Sequence, residues 1–217
     1  MRRITRLSLV AALTVLISTS LAAQFGRGRG PGMRTPEIRG MLTPTEGAGA
    51  VYQSSSGQIE MALIGREDVG GKPGYWIQIG VMSPEGQMYL KQLRVMSGNT
   101  STITRVIMQP PQGAPMEMPA TMFGATTSTD ASAGTLIGKE TITVPAGTFE
   151  CDHYQAADKS WDTWLSAQVP PFGVVKSKDT TGEMTLVRTM TGVVDRVKGT
   201  PQRLDLPDGI PAGVFGR

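Results

Sequence analysis

Cysteine and histidine occur once each, as Cys151 and His153, in a chain of 217 residues. A lone cysteine excludes an intramolecular disulfide, whatever the redox compartment. A lone histidine excludes the paired histidines of a metal-protease helix. Glycine-rich phosphate loops and paired catalytic carboxylates are also missing, so the sequence implies no cofactor. Aromatic residues make up 6% of the chain, and no long helix-period run is present. The longest apolar stretch, from Leu7 to about Ile17, falls short of the roughly 20 residues that cross a bilayer.

What is present is turn chemistry: 27 glycines and 15 prolines, spread between short segments rich in β-branched residues. Such punctuation describes strands and tight turns, an all-β and mainly antiparallel class.

The first residues, Met1-Arg2-Arg3-Ile-Thr-Arg6, precede the apolar stretch, and Ser20-Leu21-Ala22 supplies the small residues a signal peptidase reads. Residues 1–22 therefore read as a secretory signal peptide, which predicts a periplasmic or secreted protein of the bacterial envelope. No cysteine follows the cleavage region, so the usual lipid anchor is not expected. Cleavage would remove three arginines and no acid, leaving 18 bases against 18 acids. That neutral balance gives no argument for nucleic acid as a partner, and no transmembrane segment is expected after cleavage.

Residues 23–46 read as a flexible Gly/Arg/Pro-rich arm, on Gln24-Phe-Gly-Arg-Gly-Arg-Gly-Pro-Gly32. A single β-rich domain is expected over 47–198, then a loose tail over 199–217. Within the domain, strands are predicted at 50–54, 58–64, 75–82, 87–96 and 100–108, with a loop at 67–74. Ser55-Ser56-Gly57 and Ser83-Pro-Glu-Gly86 supply hairpin turns. Residues 109–134, with Pro110, Pro111, Pro115 and Pro119 among Met116, Met118, Met122 and Phe123, break the rhythm as a long Pro/Met-rich connection. A helical turn is expected near 118–123.

A second meander follows. Residues 136–144 form a strand, Val144-Pro145-Ala146-Gly147 a turn, and the next strand places Phe149, Cys151 and His153 on one face. Trp161, Thr163 and Leu165 then alternate with Asp162, Trp164 and Ser166, so the two tryptophans point oppositely. Val169-Pro-Pro-Phe-Gly173 is a bend, strands are expected at 173–178 and 183–190, and 193–198 would add a last edge strand.

The run Val144-Pro-Ala-Gly-Thr-Phe-Glu-Cys151, then Trp164-Leu-Ser166, Val169-Pro170 and Gly173-Val-Val-Lys176, resembles the C-terminal half of bacterial envelope proteins of unknown function. Those are similar to the LolA/LolB lipoprotein carriers. The resemblance covers roughly residues 135–190. It implies a curved sheet or half-barrel of two meanders around an apolar interior; a β-sandwich or closed barrel would leave the same strand pattern.

Three kinds of chemistry can be weighed on these residues. The first is a non-enzymatic binding module whose interior takes an apolar small molecule or lipid, with Trp76, Met88, Trp161 and Met184 as lining candidates. The plain alternative is that these side chains fill a core. The second is Cu(I) held by the thioethers of Met116 and Met118, with His153 added. The third is a nucleophile–base pair of Cys151 and His153, for which the sequence offers no third group or oxyanion site, while a lone cysteine suits a buried packing position. Asp152, Asp158 and Asp162 read as solvated strand and loop residues. Protein partners are not indicated.

Overall fold

The computed structural model describes residues 40, 42–83, 85–97, 100–123 and 134–204. The proposed leader, most of the arm and the last residues of the tail lie outside them. The described residues form twelve strands: β1 (Gly49–Ser54), β2 (Gly57–Val69), β3 (Lys72–Ser83), β4 (Gly86–Ser97), β5 (Thr100–Gln109), β6 (Met116–Met118), β7 (Gly134–Val144), β8 (Gly147–Ala156), β9 (Trp161–Leu165), β10 (Val174–Asp179), β11 (Gly182–Met190) and β12 (Gln202–Arg203). One 3-10 turn, Ala120–Phe123, falls in the connection between β6 and β7. No described helix is long and apolar enough to cross a membrane.

All twelve strands belong to one sheet, in the order β12-β6-β5-β4-β3-β2-β1-β11-β10-β9-β8-β7. The two meanders join where β1 pairs antiparallel with β11, and only β12 with β6 is parallel. The end strands β12 and β7 do not pair, so the sheet is curved but open, neither a closed barrel nor a sandwich. Curvature follows from the core. Ile59 and Ile79 from one half share a cluster with Val144, Cys151 and Val174 from the other, which a flat sheet could not bring together.

Hairpin turns recur with one chemistry. Gly57, Gly86, Gly147 and Gly182 each open a strand at φ of 118, 127, 132 and 153°. Side chains rarely adopt that conformation, so glycine marks the point where each hairpin returns.

Three expectations need correction. Residues 67–74 are not a loop. Gly70 and Gly71, at φ 62 and 78°, form a two-residue turn with both φ positive, so β2 runs to Val69 and β3 starts at Lys72. Pro73 is tolerated there because β4 pairing begins only at Gly74, and no neighbour needs its missing N–H. Residues 193–198 are not an edge strand but a strap laid across the sheet. Val193 N donates to Gly47 O, Arg196 N to Gln78 Oε1 and Lys198 N to Gln109 Oε1. Beyond the strap the start of the tail is ordered, since β12 pairs with Met116 and Glu117 of β6.

Candidate functional site

Register builds the inner face row by row. Ile59, Met61 and Leu63 of β2 stand opposite Val81, Ile79 and Ile77 of β3. Those face Met88, Leu90 and Gln92 of β4, and Leu90 and Gln92 face Met108 and Val106 of β5. Met108 and Val106 in turn face Met116 and Met118 of β6, a strand the connection was not expected to contain. On the far side Tyr52 of β1 continues the row to Leu186, and Ser54 faces Met184. Most members are buried, with Ser54, Val81, Met116 and Met118 half-buried, and fully burying an aliphatic or methionine side chain contributes about 1.5–3 kcal/mol. From outside the strands, Val169 and Phe172 of the 166–173 bend enter the same cluster, with Leu42, Ala120 and Phe123 packed against it.

Sequence reasoning missed the polar end of this face. Arg66, Tyr75 and Arg94 are in register across β2, β3 and β4, on the side that holds Ile77 and Gln92. Arg94 is half-buried. Its Nε and Nη2 donate to Oε1 of the buried Gln92 at 3.1 and 2.8 Å, and its Nη1 donates to Ser101 Oγ at 3.4 Å. The guanidinium also lies 5.8 Å from the Phe172 ring centroid. Burial lowers its pKa to about 10, and it has no ion pair with a described carboxylate. Arg66 is exposed, donates to the Pro44 carbonyl and lies 5.7 Å from the Tyr75 ring centroid, also without an ion pair to a described acid. A signal was available in the sequence. Alternation from Met88 through Leu90 and Gln92 predicts Arg94 facing inward, where a cation needs explaining.

The polar cluster of the second meander is a different arrangement. His153 Nδ1 lies 2.8 Å from Glu140 Oε1 on β7, and Nε2 lies 2.8 Å from Asp162 Oδ1 on β9. Trp164 stacks on the imidazole at 4.5 Å and donates Nε1–H to Glu140 Oε2, while Gln155 donates to Asp162. The hydrogen bonds from Trp164 and His153 hold the Glu140 carboxyl below the usual range. Burial pushes Asp162 upward, but its bonds from His153 and Gln155 outweigh that and leave it lowered. Asp162 is therefore half-buried and bonded, not the solvated residue expected.

Cys151, 1% exposed, directs Sγ to the Phe149 carbonyl at 3.7 Å. Burial, reinforced by the charges of Asp152 and Glu140, pushes the thiol up to about 11. With both imidazole nitrogens engaged by carboxylates, Cys151 and His153 are not a nucleophile and its base. Because Glu140 and Asp162 hold both ring nitrogens, His153 has none directed to the thioethers. Met116 and Met118 are half-buried against the core; the Met122 side chain lies outside the described residues.

The other lining candidates separate. Met88 and Met184 are in the core cluster. Trp76 is half-buried on the outer face, donating Nε1–H to Glu67 at 2.9 Å between Lys91 and Arg105. Trp161 is buried against the backbone of Gly134, where a Cβ would come within 2.3 Å of the indole, and it is not part of the core cluster. A cleft of about 290 Å³ at the sheet edge is lined by Arg105, Glu117, Met118 and Arg203 among others. Arg105 is paired there with Glu117 at 3.0 Å, and that hydrogen bond lowers the Glu117 carboxyl.

No family model and no curated protein matches the sequence. Among solved structures, the chain is similar to a candidate lipoprotein from Parabacteroides distasonis ATCC 8503 at 13% identity and a TM-score of 0.35, covering 69% of this chain and 98% of that one. It is also similar to a candidate exported protein with a YmcC-like fold from Bacteroides fragilis NCTC 9343, at 11% identity and a TM-score of 0.36, covering 70% and 100%. Likeness at that level says nothing about a ligand.

Proposed function

We propose that the chain is a non-enzymatic binding module of the bacterial envelope, taking an apolar or lipid-like ligand against the inner face of its open sheet. The observation that carries this reading is the lining. Met61, Met88, Met108 and Met184 lie in one apolar cluster with Met116 and Met118 at its border. Thioethers are flexible and polarisable, which suits a surface that repacks around ligands of variable shape. Phe172 and Phe123 reach the cluster from outside the strands, so a ligand could displace them without breaking strand pairing. The LolA/LolB-like resemblance and the proposed leader point the same way. Mass spectrometry of organic extracts from natively purified protein tests the reading: a stoichiometric lipid or other apolar molecule is expected, and an extract matching that of an unrelated secreted control would sink it. Intact mass of the same sample should show cleavage near Ala22.

A second reading, Cu(I) binding by thioethers, has one observation in its favour: the register sets Met108 directly opposite Met116, with Met118 two residues on. His153 takes no part. Cu(I) titration of the parent and of the Met116→Leu/Met118→Leu double variant separates it from the first, since only the copper reading requires high-affinity binding that the double variant loses.

A further inference from the structure

We infer that Arg94 and Arg66, flanking Tyr75 at the end of the inner face, form an anchor for the anionic head group of an amphiphile whose chain lies along the methionine-lined rows. This rests on the apolar-ligand reading above and names the ligand class. A guanidinium is costly to desolvate unless an anion or a full set of acceptors meets it. Arg94 has two acceptors, Gln92 Oε1 and Ser101 Oγ, for a group with five N–H donors. Gln92 fixes the orientation of the planar fork, and Phe172 lies against it from the bend. In the same cross-strand row, Arg66 brings a second positive charge at the solvent end.

Neither arginine forms an ion pair with a described acid. Asp68, two residues from Arg66, instead accepts from Gly71 N at 2.9 Å, and Glu67 accepts from Trp76 on the outer face. Several other cations of the sheet are ion-paired, Lys91 with Asp195, Arg105 with Glu117, Lys139 with Asp152 and Lys176 with Glu183, while Lys72, Lys178 and Arg203 are exposed without an ion pair among the described residues. What sets Arg94 apart is that its guanidinium is half-buried beside the apolar face. Two unneutralised guanidinium groups bordering an apolar face complement an oxyanion at the end of an alkyl chain. A carboxylate and a phosphate monoester share that chemistry.

Binding of hexadecanoate, hexadecyl phosphate and hexadecanol to the full chain, delipidated and folded, tests the inference by competition against a fluorescent fatty-acid probe. Both anions should bind about tenfold or more tightly than the alcohol, the worth of one charge-assisted contact. The tighter anion identifies carboxylate or phosphate as the preferred head. Arg94→Gln should erase most of that preference while leaving hexadecanol within about twofold. Arg66→Gln, at an exposed position that does not threaten folding, should reduce it by a smaller factor. Equal binding of anions and alcohol by the parent, or equal loss of both in the arginine variants, overturns the anchor but leaves the apolar site standing. Failure of all three probes overturns both.

Discussion

The two meanders are built from the same hairpins, yet they are held together differently. From β1 to β6 the inner positions are mostly apolar in cross-strand rows, with Gln92 and the Arg66–Tyr75–Arg94 row as the polar exceptions, and Gln78 meets the strap on the outer face. From β7 to β9 the strands are joined by side-chain hydrogen bonds around His153, with one edge, β7, exposing Leu136 and Ile137. Apolar rows derive their strength from area removed from water and are indifferent to the partner's identity. A polar cluster depends on each member being present, because losing one leaves another without its bond. One half should therefore tolerate conservative apolar exchange, and the other should not tolerate loss of a single side chain.

The largest expected effect breaks the first half. Leu63→Ala removes a fully buried side chain opposite Ile77 and should cost about 2–5 kcal/mol in denaturant unfolding, whereas Leu63→Met should cost under about 1.5 kcal/mol. A comparable cost for both would show that shape, not area, governs the rows.

His153→Ala tests the second half. It removes the bonds to Glu140 and Asp162 together with the stacked Trp164 contact, and should cost about 2–3 kcal/mol. The same cluster predicts an acid limb. Carboxylates lowered in the folded protein stabilise it above their unfolded values of about 4, and that contribution is lost as pH falls through the lower folded values. Thermal melts should show a steeper acid decline for the parent than for His153→Ala. Identical acid limbs would mean the cluster contributes nothing through its charges.

A smaller loss is expected at Cys151. Cys151→Ser places a hydroxyl in an apolar site at a cost of about 1–3 kcal/mol, and Cys151→Ala should cost less. Native labelling of the thiol should be slow, because burial holds it protonated at neutral pH. Rapid labelling, with both variants as stable as the parent, would overturn the buried assignment.

The smallest effect belongs to the strap. Asp195→Asn removes the Lys91 ion pair at a partly exposed position and should change stability by about 0–1 kcal/mol. A loss well beyond that would mean the strap is integral to the sheet.

By itself the sequence determined the all-β class and most strands, because X-X-Gly turns and β-branched runs are local signals that no distant contact needs to supply. It also determined that Trp161 and Trp164 point oppositely, since alternation is a property of a single strand. The ends of β2 and β3 were hidden, because Gly70-Gly71 reads equally as a loop or as a two-residue turn until its φ angles are known. Tertiary structure alone decided that 193–198 crosses strands instead of joining their edge, since its partners, Gly47, Gln78 and Gln109, are remote in sequence. It also decided that His153 is held by carboxylates from two other strands rather than by Cys151, and that Arg66 and Arg94 stand in register on either side of Tyr75. Each of those placements depends on cross-strand register and on the bulges that shift it, which are fixed when the sheet assembles rather than by any one segment.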